Sequence, residues 1–217
     1  AVLPLGSGND FASSMGMAEE PWTALRQIFT GTPRKVDVGC IEDDLGRREY
    51  WVNTVGIGFD AIVTIYSHQL PIVRGFLMYF AAVMKTIFLN HDPISMSLRQ
   101  DSTLIKEEEL LMLTLCNGGR EGGGFQLSPD AQVNDGQFDL VGVRRISRLM
   151  MLRLIPTFMK GTHGRFSAII MDQFRDLEVT ADRPLYIHTD GEIFSGFSND
   201  LREIKVEMFP GALELIS

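Results

Sequence analysis

The stretch KVDVGCIEDDLGRREYWVNTVGIG, residues 35–58, decides how this chain folds. Apolar and polar residues alternate in KVDVGCIE and again in REYWVNTVGIG, and the polar run EDDLGR joins them. The spacing predicts strands connected by a turn. Upstream the period differs. Trp22, Leu25, Ile28 and Phe29 recur at helical spacing in PWTALRQIFTG (21–31), which Gly31 stops. Before it, AVLPL reads as the end of a strand, and FASSMGM begins a helix with Asn9 or Asp10 near its cap. Downstream, residues 61–90 return to helical character with a break at Pro71. Strands then dominate: ISMSLRQ, EELLMLTLCNG, GQFDLVGVRR, SAIIMDQFRDLEVTAD, PLYIHTDGEIF, REIKVEMFP and ALELIS. One helix, SRLMMLRLIPTFMKGTH (147–163), interrupts them and is bent or ended at Pro156. The expected fold is mainly β with α insertions: an antiparallel β-sandwich preceded by a short α/β segment. Three regions follow, 1–33, 34–200 and a C-terminal 201–217 whose strands can return to the first region.

Composition narrows the function. Of 217 residues, 45% are hydrophobic and 22% charged, so the chain can bury a real core. A formal net charge of −8 is a poor basis for nucleic-acid binding. Cys40 and Cys116 both sit in apolar runs, which points to a reducing cytoplasm and no disulfide framework. The N-terminus lacks a basic region followed by an apolar run. The most apolar stretch, 72–89, is interrupted by Arg74 and Lys85, and its ten-residue uncharged interior falls short of the about 20 residues that span a bilayer.

Several short patterns carry chemistry. In LPLGSGNDFA (3–12) two glycines allow close backbone approach to a ligand, and the following helix offers free N–H groups to an anion; a plain Gly-rich helix cap reads the same way. In HTDGEIF (188–194) Asp190 and Glu192 flank a glycine. They are either a solvated hairpin turn or a carboxylate pair able to take a hydroxyl proton or hold Mg²⁺. Asp37, between Val36 and Val38, points outward or into a cleft. The region NGGREGGGFQLSPDAQVNDGQFDLV (117–141) combines glycine runs with an Asp-Gly turn that can serve a hairpin or a hard cation. The four histidines show no ligand spacing, with His188 next to the D-G-E turn. The absence of H-x-x-x-H, C-x-x-C and G-x-S-x-G argues against a zinc enzyme or a serine hydrolase.

The order of these patterns is more specific than any one of them. L-G-S-G-N-D-F-A, V-D-V-G, N-T-V-G-I-G-F-D-A, N-G-G…G-G-G-F…P-D-A…D-G-Q-F-D and D-G-E together resemble the diacylglycerol kinase catalytic family of ATP-dependent lipid kinases, over nearly the whole chain. The resemblance implies that residues 1–33 are the end of a nucleotide-binding α/β domain. The family's G-G-D-G-T loop, which contacts ATP, does not occur in these 217 residues, so the chain is expected to be the C-terminal part of a longer kinase and inactive alone. Residue by residue, the resemblance implies that Gly6, Ser7, Gly8, Asn9 and Asp10 form the loop beside the ATP phosphates. Asp37 is then a cleft acid, Asp190 the base on the lipid hydroxyl, and Glu192 a helper that orients the metal network. It also implies a Mg²⁺ held by the Asp135 side chain and the carbonyls of Gln132 and Gln137. The cofactors implied are Mg²⁺ and ATP. The acceptor is a lipid hydroxyl, diacylglycerol by default. A non-catalytic lipid-binding module and a relative of the NAD kinases are the alternatives.

A lipid kinase works at a bilayer surface. Between Arg144 and Arg165 six arginines and lysines occur with no Asp or Glu, interleaved with Leu149, Met150, Met151 and Phe158. Such a helix fits an anionic membrane surface, or an ordinary core position with a basic solvated face. Peripheral membrane association in the cytoplasm is the expectation. Trp22, Leu25 and Phe29, on a surface expected to be left unpaired by the absent nucleotide-binding domain, are candidates for a non-native homodimer contact.

Overall fold

The structure is a computed structural model and describes residues 1–6, 8–69 and 76–217. Two short helices, α1 (Asp10–Ser14) and α2 (Pro21–Thr30), lead into strands β1 (Pro33–Asp43), β2 (Arg48–Trp51) and β3 (Thr54–Gly58). Helices α3 (Phe59–His68) and α4 (Phe76–Leu89) follow; the expected break at Pro71 lies outside the described residues. Strands β4 (Ile94–Gln100), β5 (Thr103–Cys116), β6 (Arg120–Glu121), β7 (Phe125–Gln126) and β8 (Phe138–Arg144) come next, then α5 (Arg148–Met159). The chain ends with β9 (Ile169–Phe174), β10 (Leu177–Ala181), β11 (Ile187–Thr189), β12 (Glu192–Ser195) and β13 (Glu203–Ile216).

All strands except the small β6–β7 ribbon join one antiparallel sheet. Its order is β12-β11-β3-β5-β4-β10-β13-β1-β2, with β8 also paired to β5 and β9 to β8. The sheet wraps around a single apolar core to which nearly every strand contributes, including Trp51, Ile57, Leu113, Phe138, Phe174 and Ile204. This is the mainly antiparallel, sandwich-like architecture that the strand periodicity predicts. Trp51 lies over Phe138 with ring centroids 4.5 Å apart. Its other side covers Gly39 on the facing strand, where a Cβ would come within 2.1 Å of the indole. A second core fills the space between the outer face of β5 and β8 and helices α3, α4 and α5. The register slips between Leu110 and Met112 where β5 pairs with β8. That bulge lets Leu111 and Met112 both face the helices before strict alternation resumes at Leu113.

A third core belongs to the N-terminal segment. Ala12, Met15, Met17 and Ala24 pack with Val36 and Val133, and Leu213 and Leu215 of the C-terminal strand pack against them. Strand β13 pairs its first half with both β10 and β1, and its second half with the start of β1 alone. Trp22 and Phe29 of α2 remain 73% and 81% exposed.

Three local readings of the sequence are corrected. REYWVNTVGIG is two strands, because the backbone at Val52 and Asn53 leaves the ladder to donate to a carboxylate. REIKVEMFP and ALELIS are one continuous strand. Helix α5 runs through Pro156 to Met159 and gives way beyond it at Gly161, whose φ is 64°.

Candidate active site

A cavity of about 460 Å³ lies where the N-terminal loop meets the sheet. Its lining brings together Gly6, Gly8, Asn9 and Asp10 from the first loop, Val52, Asn53 and Thr54 from the β2–β3 link, Tyr79 of α4, Glu121 and Gly122, and the turn residues Asp190 and Gly191. Five of the residues singled out in the sequence therefore share one cleft. Ser7 lies outside the described residues.

The loop is shaped by its own polar groups. The Asn9 side-chain oxygen accepts from the Gly6 N–H at 2.8 Å, with Asn9 at φ 55°. The Asp10 carboxylate accepts from the Gly123 N–H at 3.1 and 3.2 Å, which joins this loop to the glycine run. Burial pushes the Asp10 carboxyl above its usual range, against the Gly123 amide and the Arg120 charge. Arg120 donates to the Ser13 hydroxyl at 2.8 Å.

The Asp-Gly turn after β11 places Asp190 with φ 49° and Gly191 with φ 90°. The Asp190 carboxylate accepts three backbone amides: Val52 at 2.8 Å, Asn53 at 2.8 Å and Thr54 at 2.9 Å. Burial still raises its pKa, with those amides opposing the shift. A carboxylate has about four lone-pair positions, so one stays unused by these amides, on Oδ2. Glu192, at the start of β12, is exposed and does not line the cavity.

Asp37 sits elsewhere. It occupies the irregularity in β1 between Val36 and Val38 and is 2% exposed. One carboxylate oxygen accepts from Gly211 N–H at 2.7 Å and the other from Gly136 N–H at 2.8 Å. It ties the C-terminal strand to the Asp-Gly turn at 135–136 and is not among the cleft-lining residues. In that turn Asp135 accepts from the Gln137 N–H at 3.0 Å, and Gln132, Asp135 and Gln137 are all exposed.

Sequence reasoning missed a buried polar cluster behind the cleft. His188 Nε2 lies 3.0 Å from Glu121 Oε1 and 3.7 Å from Asp60 Oδ2. Asp60 also accepts from the Thr114 hydroxyl at 2.8 Å and the Tyr79 hydroxyl at 3.0 Å. Room for the imidazole comes from Gly56, its partner across the β3–β11 pair, where a Cβ would come within 2.2 Å of Nε2. Burial raises Asp60, but His188, Thr114 and Tyr79 outweigh it and hold Asp60 below the usual range. Burial and the Asp60 charge push Glu121 up. Burial lowers His188, and the two carboxylates more than reverse this. Gly56 and Gly122 were the available signals, since each marks a place where a side chain of the cluster presses on the backbone. At Gly122 that neighbour is the Tyr79 ring, 2.5 Å from an added Cβ.

The three acidic and imidazole groups are close enough to surround a cation. The ring orientation opposes that use. The Gly191 N–H points at Nδ1 from 3.3 Å, so the ring meets no acceptor on that side. A metal-bound His normally has the reverse arrangement, its other nitrogen donating outward.

Tyr79 also borders a second, apolar pocket. It is walled by Phe59, Val83, Met112, Phe125, Met151 and Phe158, among others, between the sheet and helices α3 to α5. The polar cleft and the apolar pocket therefore meet at Tyr79.

Comparison with known proteins gives the same outline. Residues 1–41 match the diacylglycerol kinase catalytic domain. Residues 53–217 match the YegS C-terminal NAD kinase beta sandwich-like domain. A Chromohalobacter salexigens protein named "Probable lipid kinase YegS-like" is 32% identical over 215 residues, covering 98% of this chain and 65% of its own length. The diacylglycerol kinase of Bacillus subtilis is 28% identical, covering 95% of this chain and 68% of its own. This chain thus spans about two thirds of the length of these relatives. Among solved structures, a diacylglycerol kinase from Bacillus anthracis superposes with a TM-score of 0.65 at 15% identity, over 97% of this chain and 64% of the other. Another Bacillus anthracis chain reaches 0.72 at 18% identity, over 97% and 66%. At such identities the superpositions establish the fold. With the family match covering residues 53–217 and sequence relatives running its whole length, this chain belongs to the YegS-like lipid kinase and diacylglycerol kinase family.

Proposed function

We propose that this chain supplies the acceptor-binding part of an ATP-dependent lipid kinase, which moves the γ-phosphate of ATP to a lipid hydroxyl, with diacylglycerol as the acceptor. The observation that carries the reading is the junction at Tyr79. A polar cleft with two carboxylates, Asp10 and Asp190, opens there beside an apolar pocket of about 60 Å³, which has the chemistry to receive a hydrocarbon chain but has to widen between the helices to admit one.

In this reading the acceptor's chain occupies the apolar pocket and its hydroxyl reaches the cleft. The hydroxyl proton passes to Asp190 as the oxygen bonds to the γ-phosphorus, and the bond from that phosphorus to the bridging oxygen breaks, its electron pair leaving with ADP. Gly6, Gly8, Asn9 and Asp10 form the phosphate side of the cleft. Asp10 brings negative charge to a place where phosphates also crowd, so a cation is required. When bound, Mg²⁺ supplies charge neutralisation. Glu192, exposed and outside the cleft lining, is the weaker candidate for orienting that cation.

A second Mg²⁺ is assigned to the Asp135 turn with the carbonyls of Gln132 and Gln137. An exposed carboxylate among oxygen donors suits a hard cation. Adding Mg²⁺ at a hundred times its dissociation constant is expected to raise the thermal midpoint by about 5 °C. Asp135→Ala should abolish that rise, and an equal rise in the variant places the cation elsewhere.

Surface binding to a membrane fits the same scheme. Among the described residues no helix is long and apolar enough to cross a bilayer. Helix α5 walls the apolar pocket with Met151 and Phe158 and exposes Arg148, Leu149 and Arg153 on its outside, with exposed Lys160 just past its end.

The decisive experiment is a lipid-panel kinase assay. The 217-residue chain alone is expected to phosphorylate no lipid, because it contains no G-G-D-G-T loop. The same chain behind a segment carrying that loop is expected to phosphorylate diacylglycerol. Product from the chain alone, or none from the extended protein, overturns the reading. Binding on a lipid overlay without turnover would leave a lipid-binding module, and phosphorylation of NAD would favour the NAD kinase-like alternative.

A further inference from the structure

The apolar pocket is walled by the inner sides of α4 and α5, with Val83 and Ile87 from one and Met151 and Leu154 from the other. The ends of the same two helices leave apolar side chains in solvent. Phe88 and Leu89, the last residues of α4, are 56% and 63% exposed. Leu149, in the first turn of α5, is 77% exposed. The two ends are joined, because the Arg148 Nε–H donates to the Ile87 carbonyl at 3.0 Å. Leu149 and Phe88 each stand one residue from that bond, so the three apolar side chains meet at one corner of the molecule.

Charge indicates what covers that corner. From Arg144 to Arg165 the chain holds no Asp or Glu. Arg144 and Arg145 are paired with Glu108 and Glu109 of β5. Arg148, Arg153 and Lys160 are exposed, and among the described residues none of them has a carboxylate partner. Leu149, Arg153 and Lys160, four and seven positions apart, share one face of α5 and its C-terminal cap. Against these cations stands one acid in the link from α4 to β4, Asp92. The chain as a whole carries a formal net charge of −8, so an anionic surface is repelled by the molecule and attracted by this face. A second copy of the chain would set the same cations against each other. A bilayer with anionic lipid offers phosphates to the cations and acyl chains to the apolar corner.

We propose that the end of α4 and the outer face of α5 dock this chain on an anionic bilayer, with Phe88, Leu89 and Leu149 entering between the headgroups and Arg148, Arg153 and Lys160 lying against lipid phosphates. The seam between the two helices then faces the bilayer, and the pocket behind it opens toward the source of its acceptor. That last part rests on the lipid kinase reading; the docking itself does not.

Co-sedimentation of the 217-residue chain with vesicles tests the docking. Phosphatidylcholine vesicles containing phosphatidylglycerol are expected to carry the chain down, with added salt weakening the binding. Vesicles of phosphatidylcholine alone should bind it at least about tenfold less. Arg153→Gln with Lys160→Gln should weaken binding about 25-fold, at about fivefold for each charge removed. Phe88→Ser with Leu149→Ser should weaken it by about 10–100-fold. All four positions are exposed, so these variants are expected to keep the thermal midpoint. Arg99→Gln with Arg202→Gln removes the same charge at ion pairs on other strands and loops, and should bind as the unsubstituted chain does. Equal binding to both kinds of vesicle, an equal loss in the Arg99 and Arg202 pair, or full binding in either α4–α5 pair overturns the proposal. So does a dimer in solution that the Phe88 and Leu149 pair dissolves. If docking is as stated and the extended, ATP-competent protein phosphorylates no lipid, the kinase reading fails and the surface stands. If the chain ignores anionic vesicles while the extended protein phosphorylates diacylglycerol in them, the surface fails and the kinase reading stands.

Discussion

Asp190→Asn in the ATP-competent protein is expected to lower kcat by about 10²–10⁴-fold with little change in apparent ATP affinity. An alcohol attacking phosphorus gains from a base that can take its proton, and Asp190 is the carboxylate that the turn brings to the cleft wall. The substitution does more than remove a base. Asp190 accepts from the amides of Val52, Asn53 and Thr54, with Val52 alone on Oδ2. An asparagine amide nitrogen in either oxygen's place meets an N–H head-on. Turnover and thermal midpoint must therefore be measured together. A large loss of kcat with a midpoint within a few degrees of the unsubstituted protein assigns the proton step to Asp190. A kcat within about threefold of the unsubstituted value removes that role. Matching losses of both would make Asp190 an anchor for the β2–β3 link.

Asp37→Ala is expected to act on stability before it acts on chemistry. Its carboxylate is buried and takes one amide from Gly136 and one from Gly211. Removing it leaves two half-buried donors without partners, at a cost of about 2–5 kcal/mol. For a domain of this size that lowers the thermal midpoint by about 10 °C. Asp37→Asn keeps one acceptor oxygen and should fall between. An unchanged midpoint with lost turnover would give Asp37 back the cleft role that the family resemblance implies.

The two predictions show where sequence reading carries and where it stops. Alternation between 35 and 58 marks strands because a sheet with one buried face forces period two on its residues. The same rule gives β4, β8, β9 and β10. It could not show that REYWVNTVGIG breaks at Val52, because the partner that draws those amides off the ladder lies some 138 positions downstream. It could not show that α5 survives Pro156 either, since packing against β7, α4 and the sheet holds the helix through the lost hydrogen bond. Asp37 is the clearest case at the site. Its V-D-V setting is the same whether the side chain faces solvent, a cleft or a buried turn, and only the approach of Gly136 and Gly211 makes it an internal tie.

By itself the sequence determined the mainly antiparallel fold with its helical insertions and the lipid kinase family, and its motifs singled out Gly6, Gly8, Asn9, Asp10 and Asp190, which line one cleft. These depend on local periodicity and on short ordered motifs, which survive in a linear string. The tertiary structure alone decided that Asp60, Tyr79, Thr114, Glu121 and His188 meet behind the cleft. They come from α3, α4, β5, β6 and β11, and no local pattern links them. Their meeting depends on antiparallel pairing that sets His188 across from Gly56, and on two helices laid over the face that Thr114 shares. A buried polar cluster is specified by which strands pair and which side chains the pairing leaves room for, and that information is spread over the whole chain.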